Sequence, residues 1–255
     1  MIVARKRETL ATEQAAVPIS FLEKQLSDPQ PPISMKRSLA SSPYGIISEF
    51  KRRSPSKDWI NRNADPRQVT PAYQTAGASA LSILTDEPFF GGTLCDVKNA
   101  RPLVTLPILR KDFIISTYQL YQAKIVGADA VLLIAACLSK EECRTLAYEA
   151  HQLRLETLLE VHQEEELEYV GDCIDMVGVN NRNLGTFHTT VENSFRLASL
   201  LPHDMLLVSE SGISRPETVS KLRQAGFRGF LIGETFMKTA DPGAALRTFI
   251  SQLNK

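Results

Sequence analysis

Neither sign of charge is in excess, since 29 Lys and Arg balance 29 Asp and Glu. A neutral chain is not drawn as a whole to a nucleic-acid backbone or an anionic membrane, so any anion it handles must be recognised locally. No stretch approaches the roughly 18 apolar residues of a membrane span. The basic start Arg5-Lys6-Arg7 passes into Glu8, Thr9, Thr12, Glu13 and Gln14 rather than into an apolar signal core. The four cysteines, Cys95, Cys137, Cys143 and Cys173, show no CxxC spacing, which argues against a disulfide framework and suits a reducing compartment. His151, His188 and His203 have no partner at metal-ligand spacing, and His162 reads as a rim residue, so no metal site is visible. The expectation is a soluble cytoplasmic protein with no nucleic-acid and no membrane partner.

What the chain does have is strand-length apolar runs that stop on a charged or amide side chain. They are Gly45 to Glu49, Leu106 to Lys111, Thr157 to Glu160, Met176 to Asn180 and Leu206 to Glu210. Buried parallel strands read as continuous apolar stretches, so a Glu, Lys or Asn at the end of one has left the core. Strands are predicted at 45–50, 79–84, 106–110, 129–135, 155–160, 175–180, 205–210 and 228–233. Helical patterns fill 66–77, 94–100, 116–127, 139–152, 163–170, 191–200, 215–225 and 242–253. Eight βα units in 255 residues give the α/β class and a (β/α)8 TIM barrel, whose strand ends share the face that carries active sites. An open doubly wound sheet would want a GxGxxG turn after its first strand, where this chain has Phe50-Lys51-Arg52-Arg53. Residues 1–44 form an N-terminal helical extension, with helices at 1–16 and 20–26 and a stiff linker at 28–32, and 45–255 form the barrel.

Glu49 and Lys51 stand at alternate positions at the end of strand one, so both face the barrel mouth. Lys51-Arg52-Arg53 reads either as a solvated loop or, with Ser54-Pro55-Ser56 behind it, as an anion-holding turn. Of Arg110 and Lys111, one is expected inward and one outward; an inward lysine near other cations would have its pKa lowered. Glu160 is embedded in apolar sequence, where a carboxylate needs a partner. It is either a rim salt bridge or, with a raised pKa, a proton shuttle. Asn180 and Arg182 offer an amide and a guanidinium, the latter to pair with Glu49, Glu210 or a substrate carboxylate. Ser211-Gly212 after strand seven and Gly233-Glu234 after strand eight are placed where barrels often bind phosphate. Phe89, Phe113 and Leu132 are candidate walls for an aromatic ring.

Taken in order, Ile47-Ser48-Glu49-Phe50-Lys51-Arg52-Arg53-Ser54-Pro55-Ser56-Lys57, Leu81 to Asp86 with Phe89-Phe90-Gly91-Gly92, Pro107 to Ile114, Asn180 to Leu184 and Ser209 to Ile213 strongly resemble the indole-3-glycerol phosphate synthase family of tryptophan biosynthesis. The resemblance covers essentially the whole chain, extension included. It implies a carbon-carbon lyase that converts 1-(2-carboxyphenylamino)-1-deoxyribulose 5-phosphate to indole-3-glycerol phosphate, releasing carbon dioxide and water without a cofactor. On that resemblance Lys111 is the general acid at the substrate ketone and Glu160 the second acid-base residue. Lys51 pairs with the substrate carboxylate or donates a later proton. Glu49, Asn180 and Glu210 position these groups, Arg182 holds the charge network, and Ser54, Ser211, Gly212, Gly233 and Glu234 match the phosphate positions. The partner is thus a phosphorylated small molecule, and a monomer or weak homodimer is expected. One departure is Asp58, where the family usually has glycine; aspartate can adopt a positive φ, less readily than glycine. Two other readings stand beside this one. The isomerase of the preceding step would want a cysteine ending strand one and an aspartate where Asn180 stands; a barrel that only binds a phosphorylated metabolite has no use for the Glu49, Lys51, Lys111 and Glu160 set.

Overall fold

The computed structural model describes residues 2–26, 32–183, 185, 188–202 and 204–253. Most of the predicted 28–32 linker, Leu184 of the Asn180 motif, His203 and the first residue of the predicted 1–16 helix lie outside the described residues. Eight parallel strands close into a barrel in which each pairs with its neighbours in the chain, and the last pairs with the first. They are β1 (Ile46–Phe50), β2 (Ala80–Leu84), β3 (Ile108–Lys111), β4 (Ala130–Ile134), β5 (Glu156–Val161), β6 (Met176–Asn180), β7 (Leu206–Glu210) and β8 (Gly229–Ile232).

Alternation sorts every strand residue between two cores. Ile47, Leu109, Leu132, Leu158, Met176, Val208 and Leu231 fill the barrel interior. Ile46, Phe50, Ile108, Leu133, Leu159, Val177, Leu207 and Phe230 pack outward against the helices. Both sets are buried, which is why these strands read as unbroken apolar runs. Before the barrel come α1 (Ile2–Ala16), α2 (Ile19–Gln25) and α3 (Met35–Ser41). Around the barrel run α4 (Pro66–Ala76), α5 (Glu87–Phe90), α6 (Leu94–Ala100), α7 (Thr117–Ile125), α8 (Lys140–Gln152), α9 (Glu192–Ala198), α10 (Pro216–Gln224), α11 (Glu234–Met237) and α12 (Pro242–Leu253). The segment predicted as a helix over 163–170 is instead a 3-10 turn, Glu164–Tyr169. Ser54-Pro55-Ser56 belongs to a small hairpin that pairs Arg53–Ser54 with Asp58–Trp59.

Helix α3 has no counterpart in the sequence reading. Ser34 caps it by accepting from the Arg37 N–H, and Met35 and Leu39, one turn apart, enter the barrel interior fully buried. Glu156 at the start of β5 accepts from Ser34 Oγ and from the Lys36 N–H, so α3 is fastened at the end of the barrel where β5 begins. At the other end, α1 sends Lys6 between Asp86 and Asp112, at 2.7 and 2.8 Å. Leu10 of α1 and Leu22 of α2 pack on Tyr118. Asp112 also takes Arg110 at 2.8 Å and Thr85 Oγ1 at 2.7 Å. Arg110, Lys6 and these hydrogen bonds outweigh burial and hold the Asp112 carboxyl low, at about 2.

Gly45 enters β1 with φ 68°, and a Cβ there would run into the Arg228 carbonyl. Gly226 also has a positive φ, 103°, but open space around it. Gly45→Ala is therefore expected to lose about 3 kcal/mol, strain plus clash, and Gly226→Ala only about 1–2 kcal/mol of strain. Urea denaturation of the two variants checks this; equal losses would mean that the β1–β8 seam relaxes around the added methyl.

Candidate active site

Continuing the inward positions to the strand ends gives the last layer of the barrel: Glu49, Leu84, Lys111, Ile134, Glu160, Asn180, Glu210 and Gly233. All of them line one cavity of about 580 Å³ at that mouth. This size suits a small ligand. Ordinary period-two geometry thus puts three carboxylates and a lysine above an apolar interior. One wall is Phe89, Phe90 and Phe113, closed by Leu132 below and by Ile2 and Val3 of α1. Another is Ser211, Gly212, Gly233, Glu234 and Lys238. Gly178 of β6 makes the arrangement possible, because a Cβ there would overlap Glu210 Oε1.

The Lys111 ammonium lies 2.9 Å from Glu160 Oε2 and 3.1 Å from Glu210 Oε2. Lys51 meets Glu49 at 2.6 Å. Burial by itself would lower the Lys111 pKa, but Glu160, Glu210 and Glu49 offset it and raise the pKa above that of free lysine. The two carboxylates then diverge. Burial pushes both up, yet Lys111 and His162 pull Glu160 well below the carboxylate range. At Glu210 burial, with repulsion from Glu160 and Glu49, outweighs Lys111, so it rises to about 7. Asn180 accepts the Arg182 N–H on its carbonyl oxygen and its side chain further favours ionised Glu160.

Of the residues to which the sequence reading gives a catalytic or substrate-binding role, all but Ser54 line the cavity. Ser54 is buried, and Pro55 and Ser56 of the same hairpin reach the wall instead. The basic run divides: Lys51 turns inward, Arg52 makes a two-pronged pair with Asp96, and Arg53 pairs with Asp58 and covers Trp59. Asp58 holds φ 55°, the conformation for which glycine is usual. Arg182 hydrogen-bonds the hydroxyls of Thr189 and Ser56, each at 3.4 Å, where the sequence reading paired it with Glu49, Glu210 or a substrate carboxylate. The expected pKa directions are reversed: Lys111 is raised because its neighbours are carboxylates, and Glu160 is lowered because it sits between cations.

Two residues without an assigned role belong to the site's support. Buried Asn181 donates to Ser209 Oγ and to the Ser211 carbonyl, both at 3.1 Å, and accepts from Ser194 Oγ. It thereby fixes the turn after β7, in which Ser211 and Gly212 both have positive φ. His162 stands behind Glu160, its Nε2 3.4 Å from Glu160 Oε1. Asn181 is marked in the sequence only by its place beside Asn180, and His162 only by its two-residue offset from Glu160.

Residues 1–249 match the family model for indole-3-glycerol phosphate synthase. A protein of that name from Bacteroides thetaiotaomicron is 62% identical over 252 residues, covering 99% of this chain and 97% of the relative. Another, from Rhodopirellula baltica, is 40% identical over 252 residues, covering 98% and 97%. Among solved structures, a mutant tryptophan synthase alpha-subunit from Pyrococcus furiosus superposes with TM-score 0.60, covering 82% of this chain and 97% of that one. At 17% identity that likeness speaks for the barrel fold alone. Matched along nearly its whole length to the model and to these relatives, the chain belongs to the indole-3-glycerol phosphate synthase family.

Proposed function

We propose that the protein closes the indole ring of 1-(2-carboxyphenylamino)-1-deoxyribulose 5-phosphate to give indole-3-glycerol phosphate, as a cytoplasmic enzyme without a cofactor, acting as a monomer or weak homodimer. Residues 45–255 carry the catalysis and residues 1–44 are an extension that packs on them and closes one side of the mouth. The observation that carries this reading is the buried Lys111 ammonium, held between Glu160 and Glu210 beside the aromatic wall of Phe89 and Phe113.

A lysine kept charged is a general acid. As the arene carbon bearing the carboxylate attacks the ketone, Lys111 donates a proton to the ketone oxygen. Loss of carbon dioxide then restores aromaticity. Dehydration needs a proton on the departing hydroxyl and a base for the ring C–H. Ionised Glu160 suits the base, and Lys51, in reach of Glu49, suits the acid, after first pairing with the substrate carboxylate. Asn180 orients Glu160 and Glu210, and Arg182 holds the polar side of the mouth. The aromatic ring lies against Phe89, Phe113 and Leu132. The phosphate lies against Ser211, Gly212, Gly233 and Glu234, with Ser56 rather than Ser54 on the facing hairpin. With carboxylates as numerous as cations there, backbone N–H groups supply much of its binding.

Two measurements follow. Turnover of the substrate by metal-free protein, read as indole fluorescence, is expected, and Lys111→Ala is expected to lower kcat by roughly 10³-fold, within the range for a general acid, while phosphate binding survives. Intact turnover in that variant would remove Lys111 from the chemistry. The second concerns Glu210. A carboxyl raised from its ordinary 4.5 to about 7 contributes stability that is full below 4.5 and is lost as pH rises through 7. Glu210→Gln, which keeps the neutral form at every pH, should gain about 2–3 kcal/mol relative to the native protein between pH 5 and pH 8. Urea denaturation at the two pH values checks it; a constant difference would mean Glu210 is ionised throughout.

A further inference from the structure

We propose that His162 is a positioning residue for Glu160: its imidazolium, held between Glu160 and Glu166, decides which of the two carboxylates beside Lys111 is ionised. His162 follows β5 immediately. Its Nε2 lies 3.4 Å from Glu160 Oε1 and its Nδ1 3.6 Å from Glu166 Oε2. Glu166, one turn further on, also accepts the His162 backbone N–H, and Asn193 donates to the His162 carbonyl at 3.0 Å, so the residue is fixed through both of its backbone polar groups.

Both ring nitrogens are out of contact with water and, among the described residues, have no hydrogen-bond partner; a carboxylate oxygen lies within ion-pair distance of each. A neutral imidazole has one N–H and one lone pair, and either tautomer would turn that lone pair toward an anion. Only the protonated ring carries an N–H beside each carboxylate, in charge contacts of 3.4 and 3.6 Å rather than hydrogen bonds. The groups around it agree. Glu160 comes from β5, Glu166 from the 3-10 turn and Glu210 from β7, with Lys111 of β3 beyond Glu160. Cys137, on the turn after β4, is a further titratable neighbour of Glu160 and Glu166, and its thiol is pushed up to about 11, so it adds no charge. Burial disfavours the ring's charge, but Glu166 and Glu160 outweigh it and the His162 pKa is raised.

The consequence is an unequal division of one lysine's two partners. Glu160 has a cation on each side, Lys111 and His162, both within ion-pair distance; Glu210 is that close to Lys111 only, feels His162 at longer range, and among the described residues leaves Oε1 without a hydrogen bond. Without the His162 charge the bias toward ionised Glu160 shrinks to what the Asn180 side chain and the repulsion of Glu210 by Glu49 supply, and Glu160 takes a larger share of the proton carried by Glu210. A Glu160 that is protonated part of the time cannot take a proton from substrate.

The proposal rests on the reading of Glu160 as a proton-transfer residue, so the test has one arm that needs no turnover. In the native protein, nitrogen-15 NMR of the histidine rings is expected to show His162 doubly protonated well above pH 6.5, and Glu166→Gln, which removes one of its two anions, to lower its titration midpoint by about one pH unit. In the second arm, His162→Gln is expected to move the acid limb of the kcat profile upward by about one pH unit, with KM changed less than twofold. A ring that titrates at or below 6.5, a midpoint unmoved by Glu166→Gln, or a folded His162→Gln with the native pH profile would overturn it. Should His162→Gln fail to fold, the ring titrations decide alone. A native protein that shows the expected ring titration but no turnover would overturn the proposed reaction and leave the charge of His162 established.

Discussion

A buried ammonium group is the constraint around which the mouth of this barrel is organised. Lys111 ends β3 on the inside, and a lysine there is tolerable only if anions meet it. The anions come from strands far apart in the chain, Glu160 of β5 and Glu210 of β7. Each in turn requires something of its neighbours. Glu210 needs the space that Gly178 leaves, and Glu160 needs His162 and the Asn180 side chain. The same set that compensates one charge is the set to which the proposed reaction assigns the proton transfers, so on that proposal folding and chemistry draw on one group of contacts.

The part of this that was legible in the sequence is the part governed by alternation. Ile47 and Glu49, Leu109 and Lys111, Leu158 and Glu160, and Val208 and Glu210 are each two residues apart, so a reader who knows the strand knows which side chain reaches the mouth. Charge environment does not follow from position in that way. Lys111 was read beside its sequence neighbour Arg110, but Arg110 points outward to Asp112 and Thr85, and the groups that set the behaviour of Lys111 lie 49 and 99 positions away in the chain, as the numbering of Glu160 and Glu210 shows. The direction of its pKa shift was therefore misjudged, and that of Glu160 with it.

Short elements were lost for a different reason. Helix α3 spans 7 residues, too few for a helical period to emerge, and it is held by long-range bonds to Glu156 and Ser79 rather than by its own propensity. The hairpin at Arg53–Trp59 has 2 residues in each strand; its order comes from the Arg53–Asp58 pair and from Arg53 and Arg62 stacked on Trp59. The family resemblance puts Ser54 at the phosphate, whereas in the hairpin Ser54 pairs with Asp58 and is buried, and Ser56 at its turn lines the cavity.

The N-terminal helix is tied to the barrel by a second buried charge cluster, on the outer side of the strands. Lys6 ends between Asp86 and Asp112, both buried. Asp86 caps α5, which carries Phe89 and Phe90, and Asp112 follows Lys111 and precedes Phe113 directly. One cation on α1 therefore joins the two loops that form the aromatic wall, while Ile2 and Val3 of the same helix face the cavity. Withdrawing α1 would uncover the wall and at once leave Asp86 without that cation, and an unpaired buried carboxylate is strongly destabilising. Closure of the aromatic side of the mouth is thus coupled to the pairing of a buried charge. The first two helices are held in place less by the modest apolar contact of Leu10 and Leu22 with Tyr118 than by what the departure of Lys6 would leave behind.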